Sequence, residues 1–524
     1  MPARRIAFRI PASPLAAAHL RVCQSISIAA LFSLLSCGGV SPNAIPATTA
    51  GTADNVLTAA EVDSIVKAAA GAVNVPLVIA VSDRRGQILA LYSKVGAPQL
   101  ATANFSQLKG ATDVAAALAR TAAYFSNDQA PIGSRTVRFL SGIHFPPGVM
   151  NVESAPLYGI ENTNRGCGFV PPSILPAPTL LDGSGPGLGI LTGKADLLDS
   201  DPTAVNPGGV PIFKNNRVAG GVGVVADPST ANYNGVVEYA AVAATFGNGF
   251  GLNPVPYPGA VVVNGITLPF VEQTTLPAGY SAETPLGLYA YGPTAGSGSP
   301  LEGDLVPERG STLGGLTLPQ VQQIVQQAVT LGNLTRAAIR LPVGSRARFV
   351  ISVADLDGSL LALYRMPDAT LFSVDVAVAK SRNVIYFSGN PGTDLPGVPP
   401  GTAVTNRTLD FAAQPFYPSG IDGTQPGPFY PLFVHDVQNP CTQGSQPRGA
   451  NTSGIVFFPG STPLYLNGKL VGGLGVSGDG VDQDDFDAAG GANGFAAPTA
   501  IRADNIVDRG VRLTYEKFPP NPTD

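Results

Sequence analysis

Charge is scarce in this 524-residue chain: 13% of residues are charged, and the formal net charge is -5. That balance leaves no basic field and excludes nucleic acid as a partner. Hydrophobic residues make up 44%, which fits about two to four domains with buried cores rather than disorder. Tryptophan is absent, while 62 Gly and 49 Pro point to much loop. A membrane-spanning run is missing at the N-terminus too. The apolar stretch Ser25 to Leu35 is too short to cross a bilayer as a helix. Behind Arg4, Arg5, Arg9 and Arg21 it reads instead as an export signal, residues 1–37.

That signal ends in Leu34-Leu35-Ser36-Cys37-Gly38, which resembles the lipobox of bacterial lipoproteins. The resemblance implies acylation of Cys37 and a membrane-anchored protein facing the periplasm or the cell exterior. The alternative is an ordinary signal cut near Ser36, and either reading places the mature chain outside the cytoplasm. Residues 38–56, rich in Ser, Pro, Ala and Thr, read as a flexible tether.

The rest is written twice. PIFKNNRVAGGVGVVAD, Pro211 to Asp227, returns as PLYLNGKLVGGLGVSGD, Pro463 to Asp479. Each copy reads as a hairpin, with turns at Asn215-Asn216 and Asn467-Gly468. Gly220, Gly221 and Gly223, matched by Gly472, Gly473 and Gly475, leave one strand face nearly bare, which marks close approach by another backbone or a ligand. Upstream, both copies open on a helix with a capping box, Thr58 with Glu61 and Thr317 with Gln320. A hairpin follows, Ile79 to Tyr92 or Ile351 to Tyr364. Then comes a second helix that pairs Asp113 with Asp375, Arg120 with Arg382 and Tyr124-Phe125 with Tyr386-Phe387. Arg135-Thr136 corresponds to Arg407-Thr408, but His144 falls opposite Phe416. Last helices are expected around Val236 to Thr245 and Asp482 to Ala489. The order predicts α+β modules with mainly antiparallel sheets and packed helices. The first spans residues 57–291 with a Pro/Gly-rich insertion at 171–209, a linker covers 292–315, and the second spans 316–524; a shorter Pro/Gly-rich excursion is read at 426–461.

The L-T helix, the I-A-V-S-D-x-x-G hairpin, the D-x-A helix and the V-G-G-x-G-V-S-G strand together resemble the GlcG/HbpS-like family, also called the haem-degrading domain family, in two tandem copies. The resemblance implies profilin-like modules, self-association and, in some members, binding or slow breakdown of haem. Haem iron is held by His, Met, Cys or Tyr. After signal removal the chain keeps His144, His435, Met150 and Met366. His144, in GIHFPPGVM, is the leading iron ligand; it could equally be a loop histidine satisfied by backbone. His435 sits beside Asp436, which could orient its ring. Met366, in YRMPDA, is a ligand candidate or a packing residue. Arg120 and Arg382 are candidates for the haem propionates or another carboxylate, or they pair with local acids.

Three function classes remain open. The first is a lipid-anchored binding protein for haem or a related small molecule, its modules forming an internal pseudo-dimer. The second is an enzyme that degrades haem or turns over a small hydroxy acid. The third is a structural lipoprotein that has lost its ligand. Gly473 to Gly478 satisfies G-x-G-x-x-G, but it lies in a hairpin strand with no parallel βαβ unit, which excludes a dinucleotide site. Ser477 fails G-x-S-x-G at Asp479. The acidic run Asp479, Asp482, Asp484, Asp485 and Asp487 lacks EF-hand spacing and reads as a helix N-terminus favoured by negative charge. Aligned through Tyr158 and Tyr430, Cys167 and Cys441 fall nine and eleven residues on, nearly equivalent positions. An oxidising compartment would let them close a disulfide, provided the offset leaves them within reach.

Overall fold

The computed structural model describes residues 48–49, 55–167, 179–253, 261–298 and 300–524. The export signal, Cys37 and most of the tether lie outside the described residues.

Each module opens on a helix whose start is set by two residues. In Ala59–Ala72 the Thr58 hydroxyl accepts the Glu61 N–H at 3.2 Å, and the Glu61 carboxylate accepts the Thr58 N–H at 2.8 Å. In Leu318–Gly332 the Gln320 side chain accepts the Thr317 N–H at 2.8 Å. Both boxes satisfy donors that a helix end leaves open. The faces buried beneath them are Val62, Ile65, Val66 and Ala69 in one and Val321, Ile324, Val325 and Ala328 in the other.

The strands build two antiparallel sheets of matching order. The first runs Gly287–Tyr291, Ile88–Lys94, Leu77–Asp83, Arg217–Ala226, Gly209–Lys214. The second runs Thr48–Thr49, Leu301–Val306, Leu360–Arg365, Val350–Ala354, Lys469–Ser477, Ser461–Leu466. Positive φ at Asn215 and Asn216 (53° and 59°), and at Asn467 and Gly468 (50° and 75°), makes the tight hairpin turns that those residue types favour. Alternate side chains then serve opposite faces. In the first sheet Ile79 and Val81 pack with the opening helix and the last helix, Tyr233–Ala244, whereas Val78 and Ala80 pack with the second helix, Ala111–Phe125. Each module is α+β, with helices on both faces of an antiparallel sheet.

The glycine stripe is explained by a backbone, not a ligand. A Cβ on Gly221 or Gly223 would overlap the carbonyl oxygens of Ala119 or Ala115 in the second helix. On Gly473 or Gly475 it would overlap those of Ser381 or Ala377 in Phe372–Gly389. The strand is stripped so that the helix can lie directly on it.

Two segments read as loop carry regular structure. Within the expected linker at 292–315, Leu301–Val306 is a strand of the second sheet. It lies near the sheet edge and is only partly buried, so it needs little apolar alternation. Within the excursion read at 426–461, Tyr430–Gln438 is a helix, and its Leu432 and Phe433 are buried. Phe433 stacks on Tyr158 of the first module at 4.9 Å between ring centroids. The modules also meet where Phe125 stacks on Phe372, ring centroids 4.0 Å apart, and the Leu371 N–H donates to the Tyr124 carbonyl at 3.0 Å. Cys167 and Cys441 form a disulfide across this seam, their Cα atoms 5.3 Å apart.

Candidate functional site

A cleft of about 260 Å³ opens on the seam, walled by both modules. Phe125, Ile132, Leu140 and the Glu153–Leu157 segment come from the first; Phe372, Phe458, Asp410, Ser477 and the start of the last helix, Val481–Gly491, come from the second. The stacked rings therefore end in a cavity whose far wall is polar.

The polar wall is built by segments that cap one another. The short helix Asn406–Ala412 presents Arg407, which is paired with Asp485 and, at 2.6 Å, with Asp482. The second helix sends up Lys380, whose ammonium donates to Asp484 Oδ2 and to the Val476 carbonyl, both at 2.9 Å, and lies 5.0 Å from the Phe458 ring centroid. Asp484 Oδ1 is buried without a hydrogen-bond partner among the described residues, as are both carboxylate oxygens of Asp487 one turn on. Burial pushes Asp484 up to about 7 against the pull of Lys380. It pushes Glu516 up to about 7 against Arg502, and Asp410 up to about 8 against Arg407. On Lys380, too, burial outweighs the attraction and holds the ammonium below its ordinary range. Removing charge from water raises acids and lowers bases unless partners offset it, and here they do so only in part.

The first module lacks this wall. It retains the conserved-geometry pair, Arg135 with Glu238 at 2.7 Å, in the place of Arg407 with Asp485. Counting from that pair and from the matched second helices, Lys380 faces Leu118, Asp484 faces Val237 and Asp487 faces Ala240. Asp410 stands where the first module has Arg138, itself paired with Asp199. The fold therefore accepts apolar residues at the positions of Lys380, Asp484 and Asp487.

None of the five residues singled out as binding candidates lines the cleft. His144 Nε2 lies 2.7 Å from Asp422 Oδ1, a hydrogen-bonding contact that ties the modules together. Met366 is 1% exposed, and its sulfur accepts the Phe349 N–H at 3.4 Å, a packing role. Arg120 donates to the Gly86 carbonyl and Arg382 to the Gly358 carbonyl, each at 2.8 Å, so both brace the turn of their hairpin. His435 is exposed, with Nδ1 3.3 Å from the Asn439 amide. Asp436 does not orient it: that carboxylate turns inward to accept the Ile455 N–H at 3.0 Å. The acidic run does sit at a helix start, with Asp482 and Asp484 in the first turn of Val481–Gly491, and its members are held by partners or buried: Asp479 pairs with Arg340 and the others pair or bury as described. Among the described residues no group of three or more His, Cys, Asp or Glu is arranged to hold a metal ion. No His, Met, Cys or Tyr lines the cleft, so its residues do not fit a haem iron. Lys380, Asp410, Asp484 and Glu516 escape a reading of motifs; the signal that could find them is charge in one copy opposite an apolar or oppositely charged residue in the other.

A family model described as haem degrading protein HbpS-like matches residues 324–492. The corrinoid adenosyltransferase PduO of Salmonella typhimurium is 30% identical over 155 residues, which is 29% of this chain and 34% of PduO. The chain therefore spans about a third of that relative. An uncharacterized 15.0 kDa protein of Citrobacter freundii is 26% identical over 135 residues, covering 26% of this chain and 67% of its own. Among solved structures, a PduOC:heme complex is 23% identical and covers 35% of this chain and 98% of its own, with a TM-score of 0.24. A double mutant of Streptomyces reticuli HbpS is 20% identical and covers 36% and 94%, with a TM-score of 0.21. Through residues 324–492, the second module belongs to the HbpS-like family.

Proposed function

We propose that this chain is an exported, lipid-anchored binding protein whose two modules work as an internal pseudo-dimer and hold a small ligand in the cleft between them. The observation that carries the reading is the cleft itself: both modules wall it, and the second lines it with carboxylates, of which Asp484 is buried and stands where the first module has Val237. Its volume lies near the lower end of small-molecule pockets, about 300–1,000 Å³. Ligand-observed NMR of the mature protein with a panel of small polar compounds tests it. Val481 lines the cleft, and Val481→Trp fills it; binders whose signal survives that change are bound elsewhere. Anchoring rests on the lipobox, and intact mass with detergent partitioning checks it: a soluble, unmodified mature species overturns the anchor.

Haem is a second reading, favoured by the HbpS-like match at residues 324–492 rather than by the cleft. A Soret titration with haemin decides it. A shifted band abolished by His144→Ala or His435→Ala assigns the iron to that imidazole, and product formed with a reductant makes the protein an enzyme. Absence of any shift removes haem as the ligand.

A further inference from the structure

We infer that the cleft takes a small organic cation of the alkylammonium class, its charged head against the carboxylates of the second module and its apolar part against Phe125, Phe372 and Phe458. The inference rests on the cleft being the ligand seat and specifies what sits there.

Charge balance gives the sign. With every acid ionised, Glu153, Asp410, Asp482, Asp484 and Glu516 line the cleft against Arg407 and Lys517, with Arg502 3.8 Å from Glu516. Asp410, raised to about 8, and Asp484 and Glu516, each raised to about 7, hold protons near neutral pH that an arriving cation displaces. Arg407 is already shared between Asp482 and Asp485, and Lys517 stands 54% exposed, 3.5 Å from Asp482 and 3.8 Å from Glu153. Lys380 neutralises Asp484 from behind, through Oδ2 alone. Oδ1 of that carboxylate, on a residue 2% exposed in the cleft wall, has no donor among the described residues. Asp410 accepts only from the Gln414 amide, at 2.6 Å.

An anionic ligand would meet this surplus of acids, and a purely apolar one would leave the lining carboxylates without a counter-charge, which is costly in a low-dielectric site. An ammonium head supplies both the charge and several N–H donors. A bare metal ion is the poorer match, since no described group of three or more ligating side chains is arranged for one. The aromatic wall favours an organic cation, which gains from ring faces as well as from burial. The first module, with Leu118 and Val237 in place of Lys380 and Asp484, has no counterpart of this arrangement.

Protons should move when the cation arrives. Asp484 faces Lys380 from the second helix, Asp479 from the strand end, and Asp485 and Asp487 on its own helix. With its carboxyl held up near 7, an arriving positive charge displaces part of a bound proton near neutral pH.

Titration calorimetry of the mature protein with n-butylammonium tests the inference, with n-butanol and butyrate as neutral and anionic probes of like size. Expected are binding of butylammonium at least tenfold tighter than of either control, and proton release near neutral pH, read from two buffers of different ionisation enthalpy. The double variant Lys380→Leu with Asp484→Val, which installs the residues of the first module, should keep a folded protein and lose at least tenfold in butylammonium affinity. Equal or tighter binding of butanol or butyrate, blocked by Val481→Trp, overturns the cation and leaves the cleft as a ligand seat. Undiminished butylammonium binding in both variants overturns its placement in the cleft. No binding by any of the three, while other compounds bind in a Val481-dependent manner, also overturns the cation; no cleft-dependent binder at all overturns the seat with it.

Discussion

At the residue scale, the buried pair Lys380 with Asp484 separates charge kept for function from charge kept for the fold. Removing one partner strands the other in the interior, which costs about 3–5 kcal/mol, whereas replacing both by apolar residues of suitable volume is often neutral or stabilising. Lys380→Ala is therefore expected to lower the unfolding free energy by about that amount. The double variant Lys380→Leu with Asp484→Val should fall within about 1 kcal/mol of the parent, as read by urea unfolding at matched slopes. Asp410 gives a second prediction, in pH. Its folded carboxyl is raised to about 8, so it holds a proton more tightly folded than unfolded. The stability it contributes is whole below the unfolded carboxylate range and is lost as pH climbs through about 8. The melting temperature should fall between about pH 5 and about pH 8, and Asp410→Asn should make that fall shallower. An unchanged slope in the variant would assign the pH dependence to Asp484 and Glu516, which are shifted the same way.

At the scale of elements, the glycine strand and the helix lying on it form one unit. Gly475→Ala pushes a methyl into the Ala377 carbonyl of the second helix, and Gly223→Ala does the same at Ala115. Overpacking of this kind costs about 1–3 kcal/mol or more, so each change should lower the melting temperature measurably, whereas Gly449→Ala, with open space around it and no positive φ, should cost less. This unit is legible in the sequence, because glycine at alternating positions can only mean that something approaches that face. The capped opening helices and the Asn turns are legible for the same reason: local chemistry dictates them. Leu301–Val306 is not, since a strand near a sheet edge takes its conformation from the partner it bonds to rather than from its own pattern. The helix Tyr430–Gln438 hides behind Pro431 and the prolines around it, although Phe429, Leu432 and Phe433 are spaced for one buried face. The cleft is the least legible feature. Its acids lie in segments scattered between residues 153 and 516 and converge only once both modules have folded and met. His144 and His435 draw attention because histidine is rare, yet rarity says nothing about which face of the molecule a side chain reaches.

At the scale of the whole molecule, the link between Cys167 and Cys441 closes a loop with a sequence separation of 274 residues. Chain entropy alone allows up to about 5 kcal/mol for a loop of that length, and about 2–4 kcal/mol is typical of disulfides measured directly. Cys167→Ser should cost about that range, and a thiol count on the denatured, unreduced protein should find neither cysteine free. The bond also changes what a cut means. The chain that runs from Gly287–Tyr291 of the first sheet to Leu301–Val306 of the second lies inside the closed loop, and a protease that severs the chain once between Cys167 and Cys441 leaves a single covalent molecule. On a gel the nicked protein should run as one species until reductant is added, and then as two. The two walls of the cleft would stay attached after such a cut, and a protein built this way can lose its main-chain continuity before its two halves can part.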